Sequence, residues 1–508
     1  MSGFLTHDEN ADPVPSEFLT HATPIPTQIV SSDEYTPPPQ SEKQKEVEAR
    51  LLAMGDDLGG KQGLTRCRFF QTASGMAAGF LALNDTFGTV FDVSRAEAAA
   101  PEVAAERAAS LKDQFIMDMH THFLRDDTRL ENFVRSREAV GKAGWNPALV
   151  DKPQTLEDLK FNNYFKEIFL DSDTKVALIS SSPSETPRDW FLTNQMMIDA
   201  RDKVNKEAGS RRMFAHAIFT PGWDGWLDDL EHALQAKPES IKGYTVGDNT
   251  NKDMAKHPWR MDDEKVTYKA YELCVKHGIK NVCVHKGLFP LETGKKWPHL
   301  LDYAKVDDVG KAAKDWPQLN FVIYHGGYRH AAGGRAEDGW NEFVETGCVS
   351  WVSDLAEIPD KYGVSNVYAD VGQLFAQSVV AVPQLGAALM GIMGKGLGYD
   401  RVVWGTDAVW TGSPQWQIEA LRPLEIPDAM QKKYAFKPVG PADGLIKTAI
   451  FSGANAKLYN FDIGKRTDIG PHKDRFARMK DEYEKNGPAR SNLRYGYVRG
   501  PVDWSAFA

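Results

Sequence analysis

The feature of this sequence that most constrains its fold is the repeated alternation of short β-rich runs with polar loops and helical stretches. Eight runs follow one another: Phe115–His120, Val176–Ser180, Met213–Thr220, Ser240–Val246, Asn281–His285, Asn320–His325, Asn366–Val371 and Arg401–Thr406. Helical patterns lie between them, over residues 223–235, 263–277, 306–316, 339–358 and 374–393. Strands that alternate with helices predict a parallel sheet. Because there are eight such units, we expect a closed (β/α)8 TIM barrel, with an open doubly wound sheet as the alternative.

Chemically active side chains stand where four of these runs end. The first run ends in His120-Thr121-His122, the fifth in His285, the sixth in His325 and the eighth in Asp407. The carboxyl ends of all strands in a barrel open on one face, where catalytic groups collect. A barrel therefore brings these distant residues into one mouth, which an open sheet would not do, and this favours the barrel.

The side chains at these positions are suited to binding a metal ion. His120 and His122 lie two residues apart on an extended segment, so both point the same way. Two imidazoles at that spacing can share one ion, because zinc–nitrogen bonds are about 2.0–2.1 Å long. Two polar loop residues are the alternative reading of this pair, and a hydrogen-bonded core histidine is the alternative for His285. The carboxylate of Asp407 can ligate a metal and also accept a proton from water.

Together these residues resemble the amidohydrolase superfamily, and more narrowly its amidohydrolase-related branch, which includes aminocarboxymuconate semialdehyde decarboxylase. The resemblance covers about residues 113–465 and rests on four motifs: Asp-x-His-x-His from Asp118, His-Gly-Gly at His325, Gly-Thr-Asp ending at Asp407, and the late helix over residues 444–459. It implies one divalent metal ion, usually zinc, with the ligands His120, His122, His285 and Asp407. Manganese, iron and cobalt stay open, since ligand type selects weakly among these metals.

The resemblance also implies catalytic roles for His325, as an acid or base, and for Asp407. Some members of the superfamily bridge two metals with a carboxylated lysine at the end of strand four. Lys242 stands near the start of its predicted strand instead, so we expect a mononuclear site.

We expect a metal-dependent hydrolase of a small organic substrate, in which activated water attacks a carbonyl-type carbon. The same residues would serve a non-oxidative decarboxylase of a small carboxylic acid, aromatic acids included. A catalytically inactive barrel that acts as a binding protein is the third alternative, and the complete ligand set argues against it. Candidate substrate-binding residues follow the strand ends, with solvated charge or ordinary packing as the alternative for each: Arg125, Trp223, Lys286, Arg329, His330 and Trp410.

Extensions flank the predicted barrel. The predicted units are a Pro-rich arm over residues 1–65 with one helix near 41–54, a segment over 66–101, the barrel over 110–465, and a helix and arm over 466–508. In the second unit, Arg66-Cys67-Arg68 followed by a modest apolar run resembles a twin-arginine export signal. A helix packed on the barrel is the alternative. The sequence leaves two expected locations open: cytoplasmic, or periplasmic if that signal works. The long arms would suit a homodimer.

Composition excludes several other classes. The net charge is −10, from 60 basic and 70 acidic residues, which argues against non-specific nucleic-acid binding. No run reaches the roughly 18 apolar residues that a transmembrane helix needs. The four cysteines form no CxxC pair and are too few for a disulfide framework. Hydrophobic residues make up 42% of the chain, enough for a large core.

Overall fold

A barrel of eight parallel strands is the centre of the computed structural model, which describes residues 23–30, 38–142, 153–330, 335–463 and 473–486. The strands pair in chain order: β1 Ile116–His122, β2 Thr174–Ser180, β3 Met213–Ile218, β4 Ser240–Tyr244, β5 Asn281–His285, β6 Asn320–Tyr324, β7 Val367–Asp370 and β8 Val402–Val403. Hydrogen bonds from Met119 N to Trp404 O (3.1 Å) and from Asp407 N to His120 O (2.8 Å) join the last strand to the first. The fold is therefore a (β/α)8 TIM barrel.

An irregularity in β1 aims its histidines. Met117 and Met119 belong to the apolar cluster that fills the barrel, together with Leu178 of β2. Strict alternation from those methionines would turn the even-numbered residues outward. The register with β2 shifts between Asp118 and Thr121, and such a bulge re-aims the side chains that follow it. His120 consequently lies against the interior ring of Tyr324, with the two ring centroids 3.9 Å apart.

Five helices precede the barrel: α1 Glu42–Lys61, α2 Arg66–Phe69, α3 Ala73–Phe87, α4 Arg95–Ala99 and α5 Pro101–Leu111. Helix α1 begins after Ser41, whose hydroxyl accepts a hydrogen bond from Gln44 N, as helix-capping serines do. This helix confirms the prediction near residues 41–54. Phe80 and Leu81 of α3 share one apolar cluster with Leu385, so this part of the 66–101 segment is a packed helix. None of the described helices is long and apolar enough to cross a membrane.

The connection between β1 and β2 is long and partly helical. It contains α6 Glu131–Lys142, α7 Phe161–Phe165 and a π-helical turn, Lys166–Leu170. Phe123, Leu130 and Phe161 from this connection pack in one cluster with Phe191 and Trp410, which lie beside the barrel mouth. The tract therefore covers one side of that mouth. Residues 143–152 of this connection lie outside the described residues.

The helices that follow β2 to β7 surround the barrel. They are α8 Asn194–Ala208, α9 Trp226–Gln235, α10 Thr267–His277, α11 Leu291–Lys296, α12 Leu301–Ala304, α13 Val309–Asp315, α14 Ala336–Thr346, α15 Val352–Tyr362, α16 Gly372–Ala381 and α17 Pro383–Gly396. The predictions of single helices over 339–358 and 374–393 were wrong, because each is two helices. Gly347, at φ 78°, ends the first of them. Pro383 begins the last, since proline lacks the N–H that a continuing helix needs.

Five further described helices follow β8: α18 Gln415–Leu421, α19 Asp428–Tyr434, α20 Leu445–Thr448, α21 Ala454–Leu458 and α22 Arg475–Lys485. A π-helical turn, Ala449–Gly453, joins α20 to α21, so the late helix predicted over residues 444–459 is present. The side-chain amide of Asn455 in α21 donates to Met117 O and Trp404 O, each at 2.9 Å. Helix α21 is thereby fixed to β1 and β8. The predicted C-terminal arm beyond residue 486 lies outside the described residues.

Candidate metal centre at the mouth of the barrel

Five side chains from four strand ends converge at the mouth. His120 Nε2 and His122 Nε2 each lie 3.2 Å from Asp407 Oδ1. The ring of His325 lies 4.9 Å from that of His120 and 4.8 Å from that of His285, measured between centroids. All five residues are buried. The barrel thus gathers the residues that the sequence singled out, although they are spread over nearly 290 positions of the chain.

The donor atoms at this point fit a divalent metal ion. Ligand atoms of His120, His325 and Asp407 all lie within 4.8 Å of one another. Imidazole and carboxylate donors are those that zinc, manganese and iron accept in proteins. This group contains His325, whereas the sequence assigned His122 and His285 as the further ligands and His325 as an acid or base. Hydrogen bonds made by the ring nitrogens distinguish these roles.

Asp370 orients the ring of His120. His120 Nδ1 lies 3.0 Å from Asp370 Oδ2, and both residues are almost completely buried. A neutral imidazole that donates from Nδ1 keeps the lone pair of Nε2 for a metal, and a carboxylate in this place fixes that tautomer. Sequence reasoning missed Asp370. Its signal was an aspartate at the end of β7, the same kind of position that singled out Asp407.

The hydrogen bonds of His325 indicate a different role. Its Nδ1 accepts a hydrogen bond of 3.1 Å from the backbone N–H of Gln373. A neutral ring that accepts at Nδ1 carries its proton on Nε2, and is then a donor rather than a metal ligand. The side-chain amide of Gln373 donates to Asp407 Oδ2 at 3.0 Å. Gln373 therefore positions both residues, and nothing in its sequence context predicted this.

The backbone is strained at two of the site residues. His325 has a φ of 58° and Asp407 a φ of 61°, both in the left-handed region that residues with side chains seldom adopt. Such strain collects at functional sites. Gly372 shows why the neighbouring turn needs a glycine: a Cβ added there would lie 2.5 Å from His325 Nδ1. The surrounding structure thus holds His325 and Asp407 in conformations that place their side chains in the mouth.

Burial sets the protonation of the site. It lowers the pKa of His120 and of His325 well below the usual histidine value, and the charge of Lys242 and the neighbouring histidines add to the effect. Both rings are therefore neutral near pH 7. Burial also raises the pKa of Asp118 and of Asp370 to about 7, against hydrogen bonds that favour the charged forms. A desolvated site of this kind favours binding of a cation that neutralises the carboxylates.

Asp118 and Lys242 are two further buried charged residues near the histidines. Asp118 accepts hydrogen bonds from Thr406 N (3.0 Å) and Thr406 Oγ1 (2.5 Å), so it links β1 to the segment after β8. Lys242 is the central residue of β4, whereas the sequence placed it near the start of a longer strand. Its ammonium lies 3.7 Å from the ring centroid of Tyr324. His216, in the same layer, bonds to Tyr324 Oη at 2.8 Å, as a core histidine does.

The basic residues proposed as substrate contacts mostly have acidic partners. Three of the four lie within 4 Å of a carboxylate: Arg125 of Asp127 (2.6 Å), Lys286 of Asp308 (2.8 Å) and His330 of Glu342 (3.9 Å). Lys286 is completely buried and donates also to Tyr303 O, so its ammonium turns away from the histidine before it. The fourth, Arg329, is exposed. The structure thus directs Lys286 to a structural ion pair and leaves Arg329 at the surface.

The two candidate tryptophans differ in position. The ring of Trp410 stacks on His122, with centroids 5.3 Å apart and planes 30° apart. Phe191 contacts both of these rings, at 5.1 Å from Trp410 and 5.8 Å from His122. Trp223 instead packs near Trp190 at 6.4 Å. Trp410 therefore belongs to the wall of the site, and Trp223 lies farther out on the rim.

Comparison with known proteins yields one family and several structures. A family model described as amidohydrolase matches residues 117–461, about two thirds of the chain. No curated protein sequence matches. Among solved structures, 5-carboxyvanillate decarboxylase from Sphingomonas paucimobilis is 11% identical, with a TM-score of 0.39, and the match covers 69% of this chain and 100% of that one.

Two further structures match at similar levels. For 2,6-dihydroxybenzoate decarboxylase from Rhizobium the identity is 13% and the TM-score 0.39, with coverage of 69% of this chain and 99% of that one. For a protein described as a 2-pyrone-4,6-dicarboxylic acid hydrolase from Pseudomonas putida, the identity is 13% and the TM-score 0.38, with the same coverage.

Proposed function

The chain belongs to the amidohydrolase family, and from this premise we propose that it is a metal-dependent hydrolase of a carbonyl-type bond in a small organic substrate. The observation that supports this proposal most is that the side chains at the mouth fall into two groups with different hydrogen bonding. His120 Nε2 and His122 Nε2 each lie 3.2 Å from Asp407 Oδ1, while His325 accepts at Nδ1 and so carries its proton on Nε2. Hydrolysis needs both a metal-ligand set and a proton donor that is not itself a ligand.

The metal would be held by the side chains that present lone pairs at the mouth: His120, His122, His285 and Asp407. When bound, a divalent metal supplies Lewis acidity, which polarises a carbonyl and lowers the pKa of water. Asp370 supports this set by keeping the proton of His120 on Nδ1. The identity of the metal stays a prediction, with zinc first and manganese, iron or cobalt as alternatives.

The protein's own groups move the protons. Asp407 accepts a proton from the attacking water through Oδ1, because Gln373 already occupies Oδ2 at 3.0 Å. His325 donates its Nε2 proton to the leaving group, and the backbone N–H of Gln373 at Nδ1 keeps that proton on Nε2. The burial of both residues excludes bulk water from the proton path.

A second candidate function, non-oxidative decarboxylation of a small aromatic acid, is favoured by the aromatic wall. Phe133, Phe191 and Trp410 contact one another and enclose the side of His122, with ring centroids 5.1 to 6.0 Å apart among the three. Aromatic rings prefer offset or edge-to-face contact with other rings, so this wall suits an aromatic substrate. In this reaction, His325 would protonate the ring carbon that loses carbon dioxide.

Isotope labelling separates the two reactions. Metal-loaded protein is incubated in H2-18O with a panel of esters, lactones and amides, and separately with carboxylated aromatic acids. Hydrolysis places 18O in the product acid, whereas decarboxylation releases carbon dioxide and leaves a product with one carboxylate fewer. Release of carbon dioxide without a labelled product would overturn the hydrolase proposal and establish the second candidate. Equal turnover by metal-free protein would contradict both.

A further inference from the structure

Four serines crowd the end of β2 at the barrel mouth. Ser180 is the last residue of the strand, and Ser181, Ser182 and Ser184 follow within the next four positions. All four are at most 1% exposed. A buried hydroxyl without a hydrogen-bond partner destabilises a protein, so buried hydroxyls normally have one. The four serines can therefore be compared by whether the protein satisfies them.

Two of the serines hold their own loop in place. Ser181 Oγ donates to Leu192 O at 2.6 Å and accepts from Leu192 N at 2.9 Å. Ser184 Oγ donates to Asp248 Oδ2 at 3.0 Å, and its carbonyl accepts from Trp190 Nε1 at 2.6 Å. The bonds to Leu192 and Trp190 fold the loop after β2 back on itself, and the bond to Asp248 joins it to the segment after β4.

The other two serines are not used in this way. Neither Ser180 Oγ nor Ser182 Oγ has a hydrogen-bond partner among the described residues. Ser180 lies on the same side of β2 as Val176 and Leu178, which face the barrel interior. One loop thus contains both satisfied and unsatisfied hydroxyls, and Ser180, whose direction the strand fixes, is aimed inward.

Both serines belong to a segment that contacts residues of the candidate centre. Ser180 is the register partner of His122 in the β1–β2 pairing. The carbonyl of Ser182 accepts a hydrogen bond from Phe191 N at 3.3 Å, and the ring of Phe191 meets that of His122. Tyr244 Oη donates to Ser181 O at 3.1 Å, and its ring stacks on His285. Ser180 therefore lies beside His122 on the inner face of the barrel, and Ser182 follows two residues later in the loop that contacts Phe191.

We propose that Ser180 and Ser182 form a subsite that binds a carboxylate of the substrate, distinct from the group that reacts at the metal. The proposal rests on the proposed function for the position of the reacting group. Two hydroxyls can each donate to one oxygen of a carboxylate, and hydrogen bonds to a charged acceptor are stronger than those to a neutral one. Lys286 and Arg125 are paired with aspartates, so the hydroxyls supply donors that these cations do not.

The test compares two probes that differ by one carboxylate. Benzoate has a single carboxylate, which the metal would take, whereas isophthalate has a second one for the serines. Calorimetric titration of zinc-loaded wild-type protein is expected to show isophthalate binding at least about tenfold tighter than benzoate. Ser180→Ala and Ser182→Ala should each lower the affinity for isophthalate by about tenfold and leave the affinity for benzoate unchanged.

Failure of the wild type to prefer isophthalate, whether it binds both probes equally or neither, overturns the subsite. Equal weakening of both probes by the alanine variants also overturns it. A wild-type protein that takes up no metal would instead contradict the proposed function. The two failures are therefore distinguishable.

Thermal unfolding of metal-free protein gives a second test, which needs neither metal nor ligand. Ser180→Ala and Ser182→Ala should leave Tm unchanged or raise it, because each removes a buried hydroxyl without a protein partner. The matched variants Ser181→Ala and Ser184→Ala should lower Tm, because each breaks a buried hydrogen bond. Equal loss of Tm in all four variants would show that Ser180 and Ser182 have structural roles, against the proposal.

Discussion

The two ends of the barrel use polar residues in opposite ways. At the closed end, where the strands begin, Arg212 makes a bidentate ion pair with Asp474 at 2.6 and 2.7 Å, and Asn281 Nδ2 donates to Leu458 O at 2.8 Å. At the mouth, the hydroxyls of Ser180 and Ser182 have no partner among the described residues. The contacts of Arg212 and Asn281 stabilise the fold at the closed end, whereas the two serine hydroxyls at the mouth are available for a ligand.

The carboxylates of the two ends also differ in pKa. Burial alone would raise the pKa of Asp474, but its hydrogen bonds from Arg212 hold the pKa below the usual value. The same opposition holds for Asp173, where Lys480 and Arg422 outweigh burial and lower the pKa. Asp370 at the mouth lacks such a cation in direct contact, and its pKa rises to about 7. Cations in direct contact thus keep the closed-end carboxylates charged, whereas burial dominates at Asp370.

Empty space alone does not mark the functional end. A cavity of about 730 Å³ lies between the helices that precede the barrel and the side of the barrel, lined by Phe80, Lys175, Arg212 and Trp416 among others. It contains none of the side chains that converge at the mouth. The chemistry of the donor set, rather than the volume of empty space, is what locates the site.

The largest effect should come from His325, and it tests whether this residue is a proton donor or a ligand. His325→Gln is expected to lower kcat by about 10²–10⁴-fold, the contribution of a general acid, while metal content stays unchanged. His216→Gln is the matched control, since His216 lies in the same barrel interior but bonds to Tyr324 and Ser240. Metal content measured with turnover decides the point, and loss of metal from His325→Gln would make it a ligand.

At the closed end, breaking the buried ion pair should affect folding alone. Asp474→Ala removes the carboxylate that neutralises the buried guanidinium of Arg212, which costs about 3–5 kcal/mol of unfolding free energy. Denaturant unfolding measures this loss, and metal content should not change in the folded fraction. The control is Arg475→Ala, because Arg475 pairs with Glu207 at the surface, where a pair contributes about 0–1 kcal/mol. Similar losses in the two variants would contradict the assigned role of Asp474.

Asp370 gives a smaller effect at the mouth. Asp370→Asn keeps the shape of the side chain but removes the charge that orients His120, so metal affinity should fall by about 10–100-fold. Competition with a chelator measures the affinity of both proteins. Metal-free Asp370→Asn should be at least as stable as metal-free wild type, because the variant no longer buries an ionisable group. An unchanged metal affinity would show that Asp370 does not support the site.

The smallest effect is a difference in pH dependence between the ends. The pKa of Asp118 is raised to about 7 from 3.8, so the folded state holds one more proton than the unfolded state between those values. The associated stability is present at low pH and is lost as pH rises toward 7, with a slope on the order of 1 kcal/mol per pH unit. Metal-free Asp118→Asn should therefore gain stability relative to wild type from pH 5 to pH 7.

Asp474 should show no such trend over the same range. Its pKa lies below the usual value, so its stabilising contribution is present above about pH 4 and is lost only as pH falls further. The loss of unfolding free energy in Asp474→Ala, relative to wild type, is expected to stay constant between pH 5 and pH 7. Thermal unfolding at several pH values measures both variants, and parallel curves for the two would contradict the contrast between the ends.

The sequence predicted what depends on local pattern. The runs of β-rich residues predicted the eight strands because buried parallel strands read as apolar segments. The rule that strand ends share one face then brought His120, His285 and Asp407 together across long distances. The identity of the family followed from the same residues.

What the sequence did not predict depends on contacts between distant segments. Asp370 and Gln373 form hydrogen bonds with His120, His325 and Asp407. No local sequence pattern indicates such partners. Lys286 stood after a strand end like the catalytic residues, but its partner Asp308 is 22 positions away. The bulge in β1 could not be predicted from the sequence either, because it depends on how β1 pairs with β2. Gly347 and Pro383 were visible signals that ended the two over-long helices.

Metal content per chain tests the central claim most directly. Mass spectrometry of purified wild-type protein and of the His120→Ala/His122→Ala variant, both after reconstitution, gives the stoichiometry. The account predicts about one zinc or manganese ion per wild-type chain and none in a variant that is still folded. No metal in the wild type would contradict the ligand assignment, and two ions per chain would contradict the mononuclear site.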